Sequence, residues 1–335
     1  MAADDHVTPA NERALDDRIE SAAKSGGQRG MRWAWMGARP SKPKPVYTKM
    51  SFGVWLRTLG WRHLFAILAV LFALYPVMYI ISSSLSGEDN LAAATFIPRT
   101  INLESYELFF SNPTLTPFVT WLRNSWIVSL GAAAFNVFLA SMAAYAFSRF
   151  RFTGRRVGLL TLLLVQIFPQ FLAFVAILLI MIEIGNVFPS IGLDTLPGLM
   201  LVYLGGAIGF NTFLIKGFMD TIPFSLDESA RVDGASHGTI FFRIILPLAR
   251  PALAVIFVIS FINIFAEFLL ARTLLSSTEN FTLAVGLQLF TTANFTASWG
   301  LLSAAAVIGA APIVITFLVA QRAIISGLTG GAVKG

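Results

Sequence analysis

Glu228, Ser229, Ala230, Asp233 and Gly234, followed by Ile244, Leu246 and Pro247, carry the strongest functional signal in this chain. They fall in a polar insert, LDESARVDGASHGTIFFRIILP from Leu226 to Pro247, set between two long apolar stretches. A carboxylate among small residues suits docking rather than bond-making. Ser225 to Glu228 is arranged as a capping box, in which the serine oxygen accepts the Glu228 N–H and the glutamate reaches back; a short helix is predicted to start there. Gly234 is predicted to end it, a second amphipathic turn to follow, and Pro247 to close the segment before the apolar run at Leu253. Ala230, Gly234, Ala235 and Gly238 permit close approach of a partner, while Phe241, Phe242, Ile244, Ile245 and Leu246 would root the segment in an apolar bundle. By composition alone, the insert also fits an amphipathic helix lying in a membrane interface.

A second set of residues is conspicuous because it is polar inside apolar runs, where such groups are costly. Gln166 and Gln170 flank Phe168-Pro169, Asn211 stands alone, and Asn263 and Glu267 are spaced i, i+4, as on one helix face. Uncharged amides suit hydrogen bonding to neutral hydroxyls along a path, and they equally suit bonding between helices. Glu267 is expected near one mouth, as a gate or half of an ion pair. Catalysis finds no support: the three histidines, His6, His63 and His237, belong to no metal cluster or nucleophile-base set. With no Gly-Lys dipeptide, the chain lacks a P-loop and is read as binding no cofactor itself.

The elements that must position these residues are membrane helices. The chain is 56% hydrophobic and 13% charged, against roughly 25% charged in a soluble domain. An all-α integral membrane protein is predicted, with spans at about 64–81, 126–147, 157–182, 196–215, 253–271 and 301–320, each near the roughly 20 residues that cross a bilayer. Residues 1–60 read as a largely disordered tail with an interfacial helix, 61–326 as one membrane domain including the loop 218–248, and 327–335 as a second tail. The stretch 82–123 is expected to be a cover of short elements. There is no cysteine, so disulfides are excluded. The first apolar run begins too late for a cleavable signal. Basic residues crowd one side: the N-terminal segment, then Arg149, Arg151, Arg155 and Arg156, then Lys216, Arg231, Arg243 and Arg250. The other side has Arg99, Arg123 and Arg272, which puts both termini and the Glu228 insert in the cytoplasm.

The spacing Glu228-Ser229-Ala230, three residues, Gly234, nine residues, Ile244, one residue, Leu246-Pro247 resembles the loop by which permease subunits of ABC importers engage their ATPases. The stretch 280–287 and the C-terminus Gly327–Gly335 are similar to the maltose-type, carbohydrate-uptake branch of those permeases. The resemblance implies a six-helix type I importer permease fold, with the insert as the coupling helix and a bacterial inner-membrane location. It implies a second, different permease, two ATPase subunits that hold ATP and magnesium, and an extracytoplasmic sugar-binding protein as partners. It also implies that the loop carrying Thr282, Gln288, Thr291 and Asn294 touches that binding protein, and that the cargo is maltodextrin or a related oligosaccharide. Ser229 departs from the family, which usually has alanine there. An ion-coupled secondary transporter is the competing class; it would need no ATPase and would usually carry more charge within its spans.

Overall fold

The computed structural model describes residues 52–86, 95–98, 100–111, 117–167, 170–206, 209–291 and 298–332. Expectations for residues 1–51, for Phe168 and Pro169, for Asn294 and for the last three residues lie outside them. Two compact units divide the chain, Met1–Ala66 and Ile67–Gly335. In the first, His63 Nδ1 donates to Leu59 O at 2.8 Å across a wide turn, Leu56–Gly60.

Among the described residues the secondary structure is helical throughout. The helices are α1 (Trp61–Ser86), α2 (Glu104–Ser111), α3 (Phe118–Arg149), α4 (Arg155–Ile167), α5 (Phe174–Val187), α6 (Leu196–Leu204) and α7 (Phe210–Met219). They continue with α8 (Phe224–Val232), α9 (His237–Ile240), α10 (Leu246–Phe265), α11 (Leu269–Leu274), α12 (Leu283–Gln288) and α13 (Trp299–Ala332). α3 is the central pillar and packs along α6, α7 and α10, while α10 also packs on α13. Its buried face is built from Ala132, Ala133, Asn136, Ala140, Ser141, Ala144 and Ser148, whereas Ile127, Leu130, Phe135, Phe138 and Met142 point outward. This is the pattern a lipid solvent selects: apolar bulk faces the chains of the bilayer and small residues let helices approach closely.

Among the described residues, four helices are long and apolar enough to cross a membrane: 56–86, 118–149, 237–265 and 299–323. The other two predicted spans are not continuous. The one expected at 157–182 is α4 and α5, with the single tight turn Gln170–Ala173 leading into α5. The one expected at 196–215 is α6 and α7; Gly205 N and Gly206 N bond back to Val202 O and Tyr203 O, which tightens the last turn and ends the helix. The span expected to reach Ala271 stops at Phe265, with Ala266 as its cap, so Asn263 and Glu267 do not share a helix. α6 starts cleanly because Thr195 Oγ1 accepts the Gly198 N–H at 3.1 Å and a proline follows the cap.

Buried apolar residues form two clusters at opposite ends of α3. One gathers Phe109, Phe118, Trp121, Phe261 and Phe290, and the other Ala144, Ile215, Met219, Ile240, Phe241 and Ile245. The second cluster is the seat of the polar insert.

Candidate functional site

α8 begins after Pro223, not at Ser225, and no side chain caps it. Pro223 is the cap, its ring holding φ at −57° with ψ extended at 133°, so the chain is already helical at Phe224 and the capping box has no orphan N–H to serve. α8 buries Asp227 and Ala230 and exposes Glu228, Ser229, Arg231 and Val232. Ala230 thus faces the bundle and not a partner, contrary to the sequence expectation.

A charged residue on the inward face needs a counter-charge, and Arg149, at the end of α3, supplies it. Arg149 Nε lies 3.0 Å from Asp227 Oδ2, with the two side chains 0% and 1% exposed. The contact is ionic and not aligned as a hydrogen bond, and neither Asp227 oxygen finds a hydrogen-bond partner among the described residues. Arg149 Nη2 donates to Ile222 O at 3.1 Å, and the guanidinium sits 4.4 Å from the Phe224 ring centroid. Beside it, Ser148 Oγ donates to Asp220 Oδ1 at 2.7 Å and Lys216 Nζ to Asp220 Oδ2 at 2.5 Å. The last turn of α3 therefore grips the residues on both sides of Pro223 and the first turn of α8.

α8 ends in a Schellman motif: Ala235 N bonds to Ala230 O and Gly234 N to Arg231 O, both at 2.9 Å. Gly234 has φ +82°, the left-handed region that this motif demands and glycine enters freely. Ser236 then caps α9 through the Thr239 N–H at 3.2 Å. A wide turn, Phe241–Ile245, joins α9 to α10 without a stop, with Leu246 N–H bonding to Phe241 O five residues back. Pro247 accordingly lies inside a continuous helix instead of closing the segment; it follows the wide turn at once, where an altered hydrogen-bond register accommodates a residue without an N–H. Phe241 and Ile245 are buried and Ile244 and Leu246 half-buried, as roots should be, but Phe242 is exposed. Glu228, Ser229, Asp233, Gly234 and Gly238 form the outward surface.

The polar residues of the spans are not brought to one place. Gln166 rests on the backbone of Gly209, where a Cβ would lie 1.8 Å from its Nε2, so the last turn of α4 meets the start of α7. Asn211 Nδ2 donates to Ser260 Oγ at 3.3 Å, binding α7 to α10. Asn263 is exposed on α10, and the side chain of Gln170 lies outside the described set. Among the described residues Glu267 has no ion-pair partner. Its carboxylate accepts the N–H groups of Leu270 and Ala271 at 2.7 and 3.0 Å, capping α11, and the Tyr203 hydroxyl at 2.7 Å. Gln166 and Tyr203 do share a cavity of about 500 Å³, walled by Phe174, Met181 and Leu270.

At the opposite end, loop 276–283 is tied to α3 through Trp121 Nε1 donating to Thr278 O at 2.7 Å, Asn124 Nδ2 to Glu279 O at 2.8 Å, and Leu283 N to Ser125 Oγ at 2.6 Å. Asp194, at φ 56°, accepts the N–H groups of Ser276 and Ser277 at 2.9 Å each and the Ser277 hydroxyl. Burial pushes the Asp194 pKa up, but the Ser277 hydroxyl and these N–H groups outweigh it and leave the carboxyl below its ordinary value. Gln288 and Thr291 are exposed there, whereas Thr282 is buried and cannot offer its side chain to a partner.

Sequence reasoning missed Arg149, Asp227 as its mate, Tyr203 and Asp194. Arg149 differs in no local way from Arg151, Arg155 and Arg156, and was read with them as a topology charge. An aspartate on the same face as Ala230 was the available sign of an inward carboxylate.

The family described as "binding-protein-dependent transport system inner membrane component" matches residues 136–329. The chain is 38% identical over 272 residues to the galactooligosaccharides transport system permease protein GanQ of Bacillus subtilis, covering 81% of this chain and 94% of that protein. It is 39% identical over 284 residues to the maltose/maltodextrin transport system permease protein MalG of Photorhabdus laumondii, covering 82% and 95%. The Escherichia coli MalG is 38% identical over 284 residues, with the same coverage. Among solved structures, a bacterial ABC transporter involved in the import of the acidic polysaccharide alginate superposes with a TM-score of 0.67 at 26% identity, over 82% of this chain and 99% of that one.

Proposed function

We propose that this chain, which belongs to the family of binding-protein-dependent transport system inner membrane components, is driven by a separate ATPase that docks on α8. The chain is a permease subunit of a sugar importer of the ABC type, as its relatives are. The sugar is maltodextrin or a related oligosaccharide, and the remaining subunits are a second, different permease and two ATPases that hold ATP and magnesium. An extracytoplasmic binding protein delivers the cargo to the face that carries Gln288 and Thr291. Both termini and α8 lie in the cytoplasm, in keeping with the basic residues that crowd that side.

The observation that carries this reading is the construction of α8. Its inward face is pinned by Arg149 and by Ala230, while Glu228, Ser229, Asp233 and Gly234 are left uncovered on a helix that starts after Pro223 and closes in a Schellman motif. A push on that surface moves the ends of α3, α7 and α10 together, which is how a rigid-body transition is driven. Gln166 and the cavity it shares with Tyr203 are the part of the path to which this subunit contributes; Asn211 and Glu267 serve it indirectly, by holding the helices.

The test is purification of the chain from its own membranes in mild detergent, followed by reconstitution into liposomes. A P-loop ATPase and a second permease should come with it, and maltodextrin accumulation should require ATP. Accumulation by the chain alone, sustained by an ion gradient, would overturn the proposal.

A further inference from the structure

We infer that Arg149 and Asp227 are a positioning pair that converts movement of α8 into movement of α3, and so reaches loop 278–283 at the far end of the subunit. This rests on the reading of α8 as the docked element. α8 has two buried side chains, Asp227 and Ala230. Ala230 is a single methyl in an apolar cluster and can slide. Asp227 cannot, because its carboxylate faces a guanidinium that is itself fixed by the Ile222 carbonyl at 3.1 Å and by the Phe224 ring at 4.4 Å. With the pair sealed from water, its attraction is poorly screened and separating it would strand a buried charge. The two helices are thereby constrained to move as one.

α3 carries that constraint across the membrane. It runs unbroken for 32 residues, about 48 Å at 1.5 Å per residue, and contains no proline at which it could flex. At its start Trp121, Asn124 and Ser125 hold the backbone of Thr278, Glu279, Phe281 and Leu283 by four hydrogen bonds of 2.6–3.1 Å. A displacement at Arg149 is therefore delivered to a loop at the opposite end through one rigid element.

The test uses the assembled transporter carrying Arg149→Met with Asp227→Leu, since an apolar pair of similar volume preserves packing where a single replacement leaves an uncompensated charge. Copurification of the ATPase, ATP hydrolysis, sugar accumulated per ATP, and hydrogen exchange of amides 276–283 with and without ATP are measured together. The expected result is normal assembly and hydrolysis, a fall of about ten-fold or more in sugar per ATP, and loss of the ATP-dependent exchange change that the unmodified transporter shows. Arg149→Lys, which keeps the charge, should recover part of the yield. Unchanged sugar per ATP in the double variant overturns the inference. So does loss of ATPase binding with the chain still inserted, which would make the pair a support for the docking face alone. An unmodified transporter that carries no ATPase fails the reading of α8 instead.

Discussion

Gly234 allows the fold and the docking surface to be tested separately. Its φ of +82° is unfavourable for any L side chain, while a Cβ placed there meets no atom within 4 Å. The cost of Gly234→Ala within the subunit is thus purely conformational, about 1–2 kcal/mol, and Gly234→Asn should cost less because asparagine tolerates that region. Since the space beyond the Cβ is open, Gly234→Trp should destabilise the isolated subunit by about as much as alanine does. A difference between alanine and tryptophan must then come from a surface outside the subunit. Thermal unfolding of the purified chain in detergent should rank the three variants within about 1 kcal/mol of one another. ATPase copurification and sugar uptake should be retained by Asn and Ala and lost by Trp, at least a ten-fold drop in association, equivalent to about 1.4 kcal/mol. Tryptophan at 234 that assembles and transports as alanine does would refute the reasoning and remove the outward face of α8 from the mechanism.

Two further outcomes follow from the polar contacts. Tyr203→Phe removes one of three hydrogen bonds to Glu267 and should lower stability by about 1–3 kcal/mol, while Glu267→Ala, which also strips the cap from α11, should cost more; denaturant titration of the detergent-solubilised chain measures both. Asp194 has a lowered pKa in the fold, so its contribution is present above the unfolded-state value and fades as pH falls through the folded one, that is, below about pH 4. The protection of amides 276–280, measured as their exchange relative to an unstructured peptide at each pH, should therefore fall in that acid range and not between pH 5 and 8, and Asp194→Asn, which keeps the φ of 56° accessible, should abolish the acid step.

The membrane class, the rough position of four spans and the turn at Gly234 were legible because they depend on local chemistry: apolar length, and a glycine where a left-handed residue is required. Interruptions of the spans were not. The end of α6 needs only Gly205 and Gly206, which composition treats as neutral within an apolar run, and Glu267 reads as part of a helix until its carboxylate is seen capping the next one. Ser225 and Pro247 were misjudged for a related reason. Each obeys a sound local rule, but Pro223 upstream had already set the start of α8, and a wide turn ahead of Pro247 changed the register that the rule assumes. Arg149 was invisible as a partner because its mate lies 78 positions away and pairs with it only once α7 has returned the chain to the base of α3.

Gln166 lies against Gly209, and the cavity it lines is bordered by the last turn of α4, the first turn of α5 and the last turn of α6, so several helix ends are gathered around one space. Each such terminus carries a partial charge of roughly half an electron, positive where a segment begins and negative where it ends. The space is thus bordered by main-chain donors and acceptors, with no lysine, arginine, aspartate or glutamate among the residues that line it.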